Sequence, residues 1–102
     1  MVTMTVVYPY AADAPFDQAY YIDSHIPLAR EVFGDAVTDV SVHYALAGLA
    51  GDPPFAAIAQ LEFASMEAYQ QAMAHPRAAE VGADVANFAG VTPMIQLSRK
   101  AM

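Results

Sequence analysis

Apolar residues fall into four short runs of strand character, separated by two stretches with helical spacing. Val2 to Tyr8 is dense in β-branched and aromatic residues and closes at Pro9, which predicts a first strand. After a loop over 11–15, Phe16, Ala19, Tyr20 and Ile22 recur at helical spacing, with Asp17 and Asp23 pointing outward. Pro27 has no N–H to donate and its ring crowds the preceding turn, so two helical pieces are predicted, Phe16 to Ser24 and Pro27 to Phe33, stopped by Gly34. His25 falls at the joint, where backbone groups lose their intrahelical partners.

Val37 to Leu46 alternates, with Val40, Val42, Tyr44 and Leu46 on one face and Asp39, Ser41, His43 and Ala45 on the other. A turn cluster of Gly48, Gly51, Asp52, Pro53 and Pro54 follows. Phe55 to Phe63 then sets Phe55, Ala57, Ala59, Leu61 and Phe63 against Ile58, Gln60 and Glu62, completing a hairpin. Ser65 suits the N-cap of a second helix, with Glu67 in its first turn and Met66, Tyr69 and Met73 as its buried stripe. That helix ends near His75-Pro76, Arg77 to Asp84 reads as a short helical piece, and Val91 to Leu97 as the last strand. The order β-α-β-β-α-β, with no linker, predicts one ferredoxin-like α+β domain over 1–102, a four-stranded antiparallel sheet with both helices on one face.

The other face of such a sheet is left to water, a ligand or another subunit. It would carry Thr3, Thr5, Ser41, His43, Ile58, Gln60, Glu62, Met94 and Gln96, too apolar a set for free solvent and too polar for a dry core. Two sheets packed through that face form a dimeric eight-stranded α+β barrel with helices outside; a sheet with one solvated face is the alternative. Composition bears on the choice. The chain is 57 % apolar, above the roughly 45–50 % usual for soluble domains. Alanine supplies 22 of its 58 apolar residues, so the bulky remainder of 36 is what must fill a pocket or meet a partner.

A net charge of −7, with only Arg30, Arg77, Arg99 and Lys100 basic, disfavours nucleic acid and anionic membrane surfaces as partners. The absence of cysteine excludes disulfides, thiolate catalysis and cysteine-based metal sites. No Lys or Arg precedes Arg30 and no apolar run approaches the ~18–20 residues of a membrane span, so a cytoplasmic location is expected.

His25 is the first candidate for chemistry. It lies in Asp23-Ser24-His25-Ile26-Pro27-Leu28 beside Tyr20-Tyr21, and an imidazole there can serve as a general base or as a cap for the interrupted helix. His43 reads as an interface residue and His75 as a C-terminal helix cap; without HxH or HExxH spacing the three histidines predict no metal. Asn87, within Asp84-Val85-Ala86-Asn87-Phe88, is expected over the end of the sheet or in a turn. Serine-hydrolase, P-loop and dinucleotide motifs are missing.

Tyr8-Pro9, Phe16-Asp17, Tyr20-Tyr21, His25-x-Pro27-Leu28, Gly48, Gly51, Phe63-x-Ser65, Asp84-x-x-Asn87-Phe88, Pro93 and Gln96 together resemble the EthD family, named for ethyl tert-butyl ether degradation. Ala89 departs from the pattern, since a hydroxyl residue is expected after Asn-Phe. The resemblance implies a dimeric α+β barrel and a link to oxidative degradation of small organic molecules. The wider superfamily holds cofactor-free monooxygenases, isomerases and haem-handling proteins, so fold kinship leaves the reaction open. On this reading the chain is an oxidoreductase-type enzyme, a cofactor-independent oxygenase or related, for a small apolar or aromatic compound. His25 acts as base, Tyr8 and Asn87 orient a substrate oxygen, Tyr20, Tyr44 and Phe88 supply walls, and Gln96 is a further contact. No cofactor is expected, with haem left open, and the partners are a second copy and the ligand. The alternative is a non-catalytic binding or accessory subunit that supports a degradative oxygenase.

Overall fold

The computed structural model describes all residues, 1–102. Strands β1 (Val2–Pro9), β2 (Val37–Tyr44), β3 (Phe55–Phe63) and β4 (Met94–Ser98) form one sheet in the order β2-β3-β1-β4. Every pairing is antiparallel, with Val6 opposite both Ala59 and Ile95, and Val42 opposite Ala59. Helices α1 (Gln18–Tyr20), α2 (Ile26–Phe33), α3 (Met66–Met73) and α4 (Ala78–Ala83) complete the ferredoxin-like α+β fold. None of them is long and apolar enough to cross a membrane.

The period-two pattern sorts the sheet faces as the alternation predicts. Met4, Val6, Tyr8, Ala57, Ala59, Leu61 and Phe63 are buried in the core with Ala29, Val32 and Phe33 of α2. On the opposite face the ladder brings Thr5, Gln60 and Ser41 abreast, then Val7, Ile58 and His43. Thr3 donates from its hydroxyl to the Glu62 carboxylate across that face.

Several elements depart from the spacing. The two predicted helical pieces are one helix, because a π turn over Tyr21–His25 joins α1 to α2. The Ile26 N–H reaches back to the Tyr21 carbonyl, and Pro27 sits in the first turn of α2, where its missing N–H costs little. The widened turn places Tyr21, not Ile22, in the core. Phe16 stands before the helix, bridged to Ala89, and Asp17 is the N-cap, accepting from the Tyr20 N–H. Leu46, expected on the buried face of β2, lies beyond the strand at 101 % exposure, since pairing ends at Tyr44. Met66 is 45 % exposed and Ala72 takes the buried place on α3, because the stripe of this short helix is centred one turn later. The last strand is confined to Met94–Ser98, the register in which it pairs with β1. His75 does not cap carbonyls: its Nδ1 accepts from the Arg77 N–H and closes the turn that leads into α4.

Candidate active site

The π turn brings Tyr21 and His25 onto one face, their rings stacked at 5.3 Å between centroids. Such single wide turns inside α-helices are often found at functional sites. His25 is 5 % exposed, the one buried polar residue besides the tyrosines of the core. Its Nδ1 lies 2.9 Å from Oδ2 of Asp84, at the start of a 3₁₀ turn over Asp84–Asn87. The other carboxylate oxygen accepts from the Tyr20 hydroxyl at 2.7 Å and from Asn87 Nδ2 at 2.9 Å.

Burial alone would push the Asp84 carboxyl up, but the hydrogen bonds from Tyr20, Asn87 and His25, and the attraction of the His25 ring, outweigh it and hold it below the usual carboxylate range. An ionised carboxylate only accepts, so Nδ1 of His25 carries the hydrogen, and in the neutral ring Nε2 keeps its lone pair. No buried side-chain nitrogen or oxygen lacks a partner, and Nε2 makes no hydrogen bond to the protein. It is therefore accessible, and the space that His25 borders is an apolar cavity of about 200 Å³ between helices and sheet.

Met4, Val6, Tyr8 and Leu61 form the sheet side of this cavity, and Tyr21, His25, Ala29 and Phe33 one helical wall. Met73, Val81 and Gly82 form the other wall, and Pro93 and Ile95 stand at the edge, where Ile95 is 59 % exposed. Gly82 falls inside α4, where glycine costs ~0.5–1 kcal/mol relative to alanine, although a Cβ there would meet nothing within 4 Å. Gly82 is exposed, and it borders the cavity without a side chain of its own.

Of the residues expected to form the site, Tyr8 and His25 line the cavity. Phe88 is buried behind them, its ring 4.5 Å from His25 and 5.6 Å from Tyr8. Tyr20 and Asn87 attach to Asp84 instead of bordering the cavity, and Asn87 is exposed rather than hung over the sheet. Tyr44 packs edge-on to Phe16 and donates to the Gln18 carbonyl, outside the cavity. Gln96 is on the uncovered face, in a groove with Thr5, Val7 and Met94. Asp84, the partner of His25, and Tyr21 are the residues that site reasoning from sequence passed over. The signal for Asp84 was its spacing of three from Asn87 in a helical turn, but its pairing with His25 spans 59 residues and has no local trace.

The depressed Asp84 titration gives a stability term with a definite sign. It is fully present above the unfolded value of ~3.9 and is lost as pH falls through the lower folded value. Asp84→Asn is expected to flatten the acid limb of a plot of Tm against pH below about 4. An acid limb unchanged in the variant would assign the acid sensitivity to other carboxylates.

The family profile for the EthD domain matches residues 11–92. The chain is 42 % identical over 100 residues to an uncharacterized 11.0 kDa protein of the thcB-thcC intergenic region of Rhodococcus erythropolis, covering 90 % of this chain and 89 % of that one. An EthD-like protein of Ralstonia eutropha superposes with a TM-score of 0.90 at 33 % identity, covering 99 % of this chain and 92 % of that one. SnoaB of Streptomyces nogalater, a cofactor-independent oxygenase, shares the fold at a TM-score of 0.66 and 13 % identity, with 99 % and 93 % covered.

Proposed function

The chain belongs to the EthD family, and from that membership we propose an oxidoreductase-type enzyme that uses His25 as general base on a small apolar, single-ring compound, without a bound redox cofactor. The observation that carries this reading is the His25–Asp84 pair, in which a histidine with one ring nitrogen free of the protein borders an apolar cavity. Asp84 fixes the tautomer and would stabilise the imidazolium formed when Nε2 takes a proton, the division of labour of other carboxylate–histidine pairs. Size sets the substrate class. An apolar cavity of ~150 Å³ admits benzene, so 200 Å³ suits one ring with a small substituent and not a fused polycycle. Likeness in fold to a cofactor-independent oxygenase supports molecular oxygen as the second substrate.

The assay is oxygen uptake with single-ring phenols and ketones. His25→Ala is expected to lower turnover by ~10²–10⁴-fold. Gly82→Leu, which leaves His25 and Asp84 untouched, is expected to abolish ligand binding by filling the cavity. Binding by the native protein with no product or oxygen uptake would favour a ligand-binding accessory protein.

The functional unit in this reading is a homodimer, two sheets packed through the faces that carry Thr5, Val7, Ile58 and Met94. Val7 and Ile58 lie side by side there, and Met94 is 53 % exposed. A native mass at twice the 10.9 kDa of the chain is expected; a monomer at micromolar concentration would overturn this assembly.

A further inference from the structure

The sixteen residues around the cavity contribute only three side chains with nitrogen or oxygen: His25, Tyr8 and Tyr21. The two tyrosines come from different elements, the end of the central strand β1 and the π turn, with ring centroids 5.6 Å apart. They are 2 % and 1 % exposed. Neither hydroxyl is bonded to a backbone group; each interacts with the other, and both residues border the open space. Packing does not require these hydroxyls. Phenylalanine would fill the same aromatic cluster with Phe16 and Phe88, and the two phenols bury polar groups that have only one another inside the protein.

We propose that Tyr8 and Tyr21 form an oxyanion site beside His25, and that the compound held in the cavity carries a phenolic O–H, or a carbonyl with a C–H on its α carbon, that His25 deprotonates. This deepens the proposed function and rests on His25 being its base. For a ketone, Nε2 takes the proton from the α carbon; the C–H pair becomes the C=C bond and the carbonyl π pair moves onto oxygen, where the two O–H groups donate to it. The imidazolium, held by Asp84, returns the proton. For a phenol the proton passes from oxygen to Nε2 and the phenolate stays between the tyrosines. Burial raises both tyrosine pKa values, which keeps them protonated as donors at neutral pH.

The probe is 4-nitrophenol, whose visible absorbance reports ionisation, added to the full-length protein at a pH where the free probe is mostly neutral. The bound probe is expected to be ionised. Tyr8→Phe and Tyr21→Phe should each lower its ionised-to-neutral ratio by ~10–100-fold, the worth of a hydrogen bond to a charged group. His25→Gln should remove the ionisation while binding persists. A bound probe that is ionised equally in both Phe variants overturns the oxyanion site and leaves the base reading standing. A bound probe that stays neutral in the native protein overturns both. No binding, or binding that survives Gly82→Leu, overturns the cavity reading and this proposal with it. Exchange of the α hydrogens of phenylacetone in D₂O, followed by NMR, gives a second readout: it should be accelerated by the native protein and lost in the Tyr8→Phe/Tyr21→Phe double variant. The near-UV CD of each variant checks that the aromatic cluster is intact.

Discussion

Asp84→Asn is expected to lower turnover by ~10²–10⁴-fold while the fold is retained, because it reverses the tautomer of His25. The carboxylate oxygen that faces Tyr20 and Asn87 accepts two hydrogen bonds, at 2.7 and 2.9 Å. An asparagine must keep its carbonyl oxygen on that side, since its NH₂ would meet two donors. The NH₂ is thereby turned to the position 2.9 Å from His25 Nδ1 and donates to it. Nδ1 becomes the acceptor, the ring proton moves to Nε2, and the lone pair that Nε2 held is gone. Every hydrogen bond survives with one polarity reversed, so the expected signature is a fall in kcat with ligand affinity and secondary structure preserved. A variant with native kcat would mean that the tautomer is immaterial, and would remove His25 from the role of base.

Phe88→Ala is expected to cost ~3–5 kcal/mol, a large share of the ~5–15 kcal/mol available to a domain of this kind. The Phe88 ring is 3 % exposed and lies 4.9 Å from Tyr21, 5.4 Å from Phe16 and 5.6 Å from Tyr8, so the lost volume opens a hole where three elements meet. It also removes the ring 4.5 Å from His25 that holds the imidazole against Tyr21. Urea unfolding should show a lowered midpoint with an unchanged slope. A loss below about 1 kcal/mol would mean that the neighbouring rings collapse into the space, since the cost of such deletions depends on how far a site relaxes.

The strands and sheet faces were legible because period-two alternation is a local property: Val40, Val42, Ala57, Ala59 and Leu61 carry it in the sequence and in the sheet alike. The β-α-β-β-α-β order, the Ser65 N-cap and the Gly34 stop are local signals of the same kind. His25 was legible as a candidate because Pro27 marks a break next to it. The π turn that resolves the break was not, since a helical wheel at fixed period cannot register one extra residue in a turn, and the buried position passed from Ile22 to Tyr21 as a result.

What the sequence determined alone is thus the fold class, the uncovered sheet face and one candidate residue at a helix interruption, all encoded within a few neighbours. Tertiary structure decided what that residue touches. His25 and Asp84 are 59 positions apart, Tyr8 and Tyr21 arrive from a strand and a helix, and the cavity lies between sheet and helices. Long-range juxtaposition leaves no periodic trace in a single chain, because it depends on how whole elements pack, not on the residues adjacent to each group.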